Sequence, residues 1–528
     1  MRILITDSLS KEGIRKLSEE GGFQVKQALG LNEEELIKII PEYEVLIVRS
    51  ETRVTEKVIR AANKLKVIGR AGTGVDNIDV EAATKKGIIV MNTPGGNTIS
   101  AAEHTISLIL ALSRNIPQAH ASLREGKWER KKFMGSEVYG KTLGIIGLGR
   151  IGSEVAKRAQ GLKMKVVAYD PFVSRERAEK LGVTLLELKK LLTQVDYLTI
   201  HTPLTERTRN LIGKTEFSLM KKEVRIVNCA RGGIIDEEAL YEALKTERIK
   251  GAALDVFEKG KPFDSPLLKL DSVILTPHLG ASTQEAQKRV AIDIASQIID
   301  FFKGGMIRNA VNVSMISPEA QKRLKPYLCL AEKIGELEAQ LIEGHPKELE
   351  IIYAGELVNL EIAFLTAKVI RGFLKSFLRE GEIINYVNAL LLAKERGIKV
   401  VEVKNPEVEG FNGLISVKLT TDIQEKKIEG TVFGKEISRI VGINGYPLDF
   451  LPRGNFLISS NVDKPGVVGK IGTILGKFGV NIGGLQMGRK TRGSKNVSVY
   501  ILDSFPPRQA IEELLKMEEI LDARVVRL

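Results

Sequence analysis

Only two of the 528 residues are cysteine, Cys229 and Cys329, and no paired spacing links them. That excludes a disulfide framework and a cysteine-based zinc site, so no metal is expected. Long apolar runs are missing as well. Stretches such as 108–112 and 389–393 are far too short to span a bilayer, which argues against membrane insertion. The N-terminus, MRILITDSL, holds one arginine and then turns polar, which reads as a buried strand and not as a signal peptide. A soluble cytoplasmic protein is the expectation. The chain carries a net charge of +13, yet its Lys and Arg are interleaved with Glu and form no basic block. Nucleic-acid binding is therefore not expected; the charge reads as a solvated surface or as a basic cleft for an anionic small molecule.

What is present is ordinary globular material: 43% hydrophobic and 27% charged residues, in a chain long enough for two to four domains. Residues 2–6, 45–48, 66–69 and 88–91 read as strands separated by amphipathic stretches, the rhythm of parallel strands with crossover helices. A long apolar helix over 100–114 then leads to a second, stronger α/β rhythm. Its strands are 143–146, 165–169, 197–201, 225–228, 252–255 and 273–276, at doubly wound spacing. A helix over 284–303 carries the chain away and back toward the first domain. Helices at 334–342 and 361–378 mix with strands at 349–354 and 413–419 in the third part. The last segment reads as a βαββαβ sandwich with strands at 455–461, 482–489, 495–503 and 520–527.

Gly147-Leu148-Gly149-Arg150-Ile151-Gly152 follows a strand and opens a helix. The first glycine permits a tight turn, the second lets backbone N–H groups approach a pyrophosphate, and the third allows close helix–strand packing. The helix N-terminus adds partial positive charge. Asp170 ends the next strand, where a carboxylate accepts hydrogen bonds from ribose hydroxyls and repels a 2′-phosphate, favouring NAD.

Three further motifs end strands downstream: His201-Thr202-Pro203-Leu204, Asn228-Cys229-Ala230-Arg231-Gly232-Gly233 and Pro277-His278-Leu279-Gly280-Ala281. Oxidising a 2-hydroxy acid needs a base for the hydroxyl proton and a cation for the carboxylate. Histidine suits the first, and arginine, with its planar fork, the second. Among the five histidines, His278 sits in a glycine-containing loop after a strand. His201 reads as packed or cofactor-side, and His104 as a core histidine of the apolar helix. Cys229 reads as a small packed residue.

These motifs resemble the D-2-hydroxy-acid dehydrogenase family. The stretches 69–77, GRAGTGVDN, and 126–135, GKWERKKFMG, resemble its long-chain phosphoglycerate-oxidising branch. The resemblance implies a Rossmann-type NAD-binding domain (99–285) inserted in a flavodoxin-like substrate domain (1–98 and 286–312). An α+β intervening domain (313–453) and an ACT amino-acid-sensing domain (454–528) would follow. It implies that Arg231 binds and polarises the substrate and that His278 is the acid/base. Thr73, Arg150, Ile151, Asp170, Thr202, Cys229, Ala230 and Asp255 would line the NAD pocket, with Leu279, Gly280 and Ala281 beside them. Arg49, Arg70 and Gly74 would meet the substrate, and Arg130 would reach in from a partner subunit of a homodimer or homotetramer.

The implied reaction is NAD-dependent oxidation of 3-phospho-D-glycerate to 3-phosphohydroxypyruvate, the first step of L-serine biosynthesis. L-Serine would be sensed by Asn461, Asp463 and Asn481, although an Asp before a helix and an Asn after it also suit capping. A glyoxylate/hydroxypyruvate reductase and an NAD-sensing scaffold or corepressor are the alternatives. One departure stands out. The family pattern D-V-F-x-x-E-P places a glutamate that pairs with the histidine; here Asp255-Val256-Phe257-Glu258-Lys259-Gly260 puts Gly260 there. Without that acid His278 should titrate lower, unless Glu258 swings in.

Overall fold

The computed structural model describes residues 1–304, 307–313, 318–378, 383–434 and 436–528. Four sheets organise them, and the first two position the site. The first is wholly parallel, in the order Gln24–Gln27, Arg2–Ile5, Val45–Val48, Val67–Arg70, Ile89–Met91. Its central strands are continuous apolar runs, as strands covered on both faces must be. The second is a seven-stranded parallel sheet ordered Val273–Leu275, Gly251–Leu254, Arg225–Asn228, Tyr197–Ile200, Thr142–Ile146, Lys165–Tyr169, Thr184–Leu185. Its strand order reverses at Thr142–Ile146, the crevice where such sheets take ligands.

The helix Gln284–Gly304 returns the chain to the first sheet. Ile294 and Ile298, both fully buried, fill the space that Gly69 leaves; a Cβ on Gly69 would stand 2.9 Å from Ile294. Asn312 then donates to the Ile88 carbonyl and accepts from the Val90 amide. The connector helix, Thr98–Arg114, buries Leu108, Ile109 and Leu112 against the second sheet.

The third sheet is antiparallel apart from one edge pair. Its order is Lys399–Asn405, Pro346–Gly355, Gly413–Thr421, Glu425–Phe433, Ile437–Ile443, Tyr446–Phe450. The fourth is antiparallel in the order Ile482–Arg489, Lys495–Leu502, Asn455–Val462, Ile520–Arg527, with helices Val467–Lys477 and Arg508–Leu514 on one face. Its other face places Phe456, Ile458, Val497, Val499 and Val526 in one core with Ile334 and Leu337 of the helix Pro318–Leu341. That helix is longer than the sequence reading of 334–342 and carries Pro326 inside it, although proline normally ends a helix. A turn before the helix Ala389–Glu395 docks on the first domain: Asn385 donates to the Gly87 carbonyl at 2.8 Å and Asn388 to that of Lys85 at 3.1 Å.

Gly69→Ala would force Ile294 off its seat, and overpacking of this kind costs about 1–3 kcal/mol. A lowered unfolding midpoint of that size in denaturant is the expected result; no change would mean the helix Gln284–Gly304 is not tightly seated.

Candidate active site

The C-terminal ends of the parallel strands in the two sheets carry the site residues. Gly147 follows Thr142–Ile146 with φ +93°, and a side chain there would meet the His201 carbonyl at 2.6 Å. A Cβ on Gly149 would meet nothing within 4 Å, so this position stays open to a ligand. A Cβ on Gly152 would stand 2.1 Å from the Gly147 carbonyl oxygen, so only glycine lets the helix Arg150–Gly161 come this close. Asp170 accepts from the amides of Leu148 and Phe172, both at 2.8 Å, which ties its carboxylate to the loop. The Thr202 hydroxyl beside this loop is buried without a hydrogen-bond partner. An open glycine, a helix N-terminus and an orphaned hydroxyl fit a dinucleotide. Arg150 is exposed at the rim of the loop and Ile151 half-buried beside it. Thr73, across the crevice, donates to Asn97 at 2.8 Å.

The loop after Arg225–Asn228 is shaped by Asn228, which accepts from the Ala230 amide and donates to the Arg231 carbonyl. Arg231 extends across the crevice to Asp76 of the first domain, with Nε 2.8 Å from Oδ2. Gly74 lies directly against it. On the same side Arg70 ends its strand, half-buried, with its Nε unpartnered. Burial pulls the Arg70 guanidinium down to about 10; Arg231 and Arg49 nearby add repulsion, while Asp76 and Asp7 oppose it. Asp7 fixes the Arg49 loop through the amides of Arg49, Glu51 and Thr52, and Asn77 donates to the Arg49 carbonyl. Arg130 is exposed on the stretch after the helix Ile116–Arg124.

His278 has left-handed backbone, φ +57°, a conformation that costs a non-glycine residue about 1–2 kcal/mol. Asp255 holds it there. This fully buried carboxylate accepts from the Leu279 amide at 2.6 Å, the Gly280 amide at 2.8 Å and the Thr276 hydroxyl at 2.6 Å. Burial pushes the Asp255 carboxyl up, but His104, Thr276 and these amides more than offset that, leaving it below the usual range. His104 is a satisfied histidine: its Nε2 lies 3.3 Å from Asp255 and 3.2 Å from Thr276. His104, Cys229 and Asp255 cluster closely, but the Asp255 oxygens are already taken by these donors.

The imidazole of His278 opens to the crevice, yet its pKa lies below the ordinary value. Surrounding protein is the largest cause; Arg231 and Arg70 add to it, and Asp255 and Asp76 oppose it. His201, by contrast, is pushed to about 3 by burial and bonds Thr199, so it is a neutral, packed ring. Burial raises the Cys229 thiol to about 12, leaving it a packed, inert group. Glu258 is engaged with Arg209 at 3.3 Å, and its amide donates to Glu237. In this arrangement it is not among the groups that act on His278. Gly260 has φ +78° and open space around it. Asp7, Asp76, Thr199 and the tethering role of His104 escaped the sequence reading; an acid immediately after a parallel strand was the available signal for Asp7.

The effector candidates do not converge within one chain. Asp463 follows Asn455–Val462 and accepts from Arg489 and the Gly493 amide. Asn481 precedes Ile482–Arg489 at the opposite end of the sheet, where it donates to Asp503 at 2.6 Å. A strand of this length separates the two by roughly 20 Å. Asn461 is buried among Ser459 and Ser498.

A low His278 pKa leaves the ring neutral near pH 7, ready to take a proton. The oxidative rate should therefore reach its plateau below the pH at which a free imidazole, pKa about 6.5, would give it, and the reductive rate should fall early as pH rises. Gly260→Glu should move both limbs upward by about one unit in rate–pH profiles; an unchanged profile rejects the assignment.

Family models match three segments: the NAD binding domain of the D-isomer specific 2-hydroxyacid dehydrogenases over residues 106–280, the D-3-phosphoglycerate dehydrogenase intervening domain over 323–444, and an ACT domain over 456–519. The chain is 46% identical to a D-3-phosphoglycerate dehydrogenase of Archaeoglobus fulgidus and 46% to one of Methanocaldococcus jannaschii, over 100% of each chain. It is 42% identical to that of Bacillus subtilis, over 100% of this chain and 99% of the relative. Among solved structures, TT0316 of Thermus thermophilus aligns with TM-score 0.55 and 35% identity, over 59% of this chain and 100% of that one. The NAD-dependent formate dehydrogenase of Staphylococcus aureus in complex with NAD aligns with TM-score 0.54 and 32% identity, over 60% of this chain and 100% of that one. No described helix is long and apolar enough to cross a membrane. The chain is an NAD-dependent dehydrogenase and belongs to the D-isomer specific 2-hydroxyacid dehydrogenase family, in its D-3-phosphoglycerate dehydrogenase branch.

Proposed function

We propose that the chain, working in the cytoplasm, oxidises 3-phospho-D-glycerate to 3-phosphohydroxypyruvate. The observation that carries this reading is the meeting of Arg70 and Arg231 beside His278 in one crevice, with Arg49 next to Arg70. A substrate with a phosphate at one end and a carboxylate at the other supplies the negative charge those guanidiniums need. Arg231 grips the carboxylate and polarises the forming carbonyl. Arg70 and Arg49 hold the phosphate end, and Gly74 leaves room for Arg231. His278 takes the hydroxyl proton from C2 and keeps it off the product until release. NAD held on the glycine loop would supply the acceptor for the C2 hydride. Asp170 takes the adenosine ribose hydroxyls, and Thr73, Arg150, Ile151, Thr202, Cys229, Ala230 and Asp255, with Leu279, Gly280 and Ala281, surround the rest.

The chain acts as a homodimer or homotetramer. Ile116, Leu123, Trp128, Met134 and Tyr139 are large exposed apolar residues within one short stretch, Trp128 at 78% and Met134 at 80%. Such a patch fits burial against a second copy, and Arg130 lies in the same stretch, where it would reach the partner's crevice. The ACT domain fits a sensor of L-serine. Because Asp463 and Asn481 stand at opposite ends of one sheet, a ligand touching both needs Asp463 of one copy and Asn481 of another, with Asn461 supporting the first.

NADH should form from 3-phospho-D-glycerate and slow on addition of L-serine. Turnover of unphosphorylated glycerate alone would point to a hydroxypyruvate reductase, and no turnover of any 2-hydroxy acid to a scaffold. Asp463→Ala and Asn481→Ala chains should each lose serine binding, whereas a mixed dimer should keep one intact site in calorimetry; equal loss in the mixture rejects the shared site.

A further inference from the structure

Arg231 and Asp76 form an ion pair across the crevice, one on the NAD-binding side and the other on the loop after Val67–Arg70, 155 residues apart in the chain. The contact is made through Nε alone, at 2.8 Å, while Nη1 donates to the Ala230 carbonyl at 2.7 Å. Nη2 passes so close to Gly74 that a Cβ there would stand 1.8 Å from it. Among the described residues Nη2 has no hydrogen-bond partner, so the outer edge of the fork is left for a ligand. A carboxylate competing with substrate would take two guanidinium nitrogens at once. Asp76 takes the inner one only.

Gly260 brings no carboxylate to His278. With Glu258 engaged by Arg209, the carboxylates that act on His278 are Asp255 and Asp76, opposite the guanidiniums Arg231 and Arg70. Asp255 is consumed by the Thr276 hydroxyl and two amides. Asp76 is the more exposed of the two, with 68% of its side chain open to solvent.

We propose that Asp76 is a positioning residue for the dehydrogenase reaction: it aims Arg231 from across the crevice so that the outer nitrogens of the guanidinium meet the substrate carboxylate. The clamp is then complete only when the two halves of the catalytic unit stand together, because each half supplies one member of the pair. The inference rests on the reading that Arg231 grips that carboxylate. Gly74 belongs to the same device, since any side chain there would displace Nη2. Asp76 also supplies negative charge toward His278 that Gly260 withholds.

The test uses the full-length protein and calorimetric titration of 3-phospho-D-glycerate in the presence of NADH, which cannot oxidise it. Arg231→Ala alone should weaken binding strongly; if it does not, the reading of Arg231 fails. Asp76→Ala should weaken binding about fivefold, the upper end for a partly exposed pair, and should leave NADH binding within about twofold. In the Arg231→Ala background, Asp76→Ala should add less than about twofold. Asp76→Asn keeps an acceptor for Nε and should weaken binding less, yet lower the pH at which the reductive rate falls as much as Asp76→Ala does. Unchanged or tighter binding in Asp76→Ala overturns the proposal, the latter by making Asp76 a competitor. Full additivity with Arg231→Ala overturns it too, as does a pH profile that neither substitution moves.

Discussion

Positive charge crowded into a walled crevice is the constraint on which the rest of the catalytic unit depends. Burial weighs most on Arg70 there; Arg231 and Arg49 repel it, and Asp76 and Asp7 oppose that repulsion. The fold tolerates this because each cation is pinned from outside the crevice. Arg49 is set by Asp7 and Asn77, Arg231 by the Asn228 loop and Asp76, and Arg70 by its place at the end of a buried strand. Gly72 and Gly74 follow from the same crowding: a Cβ on Gly72 would stand 1.7 Å from the Arg70 guanidinium, and one on Gly74 1.8 Å from that of Arg231. A doubly charged phosphate ester relieves the strain, which turns an electrostatic cost of folding into affinity for one class of ligand.

The second constraint is the backbone at His278. A left-handed conformation persists only where its surroundings over-determine it, and here a single buried carboxylate does so through two consecutive amides and a hydroxyl. Asp255 therefore fixes where the imidazole starts from, and it also supplies negative charge toward the ring, against burial and the Arg231 and Arg70 guanidiniums. One carboxylate thus serves both position and basicity.

Legibility from sequence followed how local the physics was. The strand–glycine–helix unit at 142–161 was readable because its glycine spacing is local, and the buried strands of both parallel sheets were readable as apolar runs, whereas the exposed edge strands Gln24–Gln27 and Thr184–Leu185 were not. Lys399–Asn405 and Glu425–Phe433 escaped because their exposed, charged positions hide the apolar ones. Asp76 could not be found, since its partner lies on another domain, and the role of His104 required knowing that the helix Thr98–Arg114 passes beside Asp255. The same limit explains Glu258: its proximity to the motif in sequence gave no hint that Arg209 already held it.

The common core beneath the third and fourth sheets bears on how this architecture is gained or lost. Phe450, Phe456, Ile458 and Val526 sit in one apolar layer with Ile334 and Leu337, so the terminal sheet roofs its neighbour and does not hang from it as a pendant. Deleting the last 75 or so residues would strip that roof and bare an oily wall, inviting aggregation. A shorter chain that avoids baring this wall would end ahead of the helix Pro318–Leu341, without either module. The solved neighbours that align over about three-fifths of the chain while being covered almost end to end have the size of such a chain.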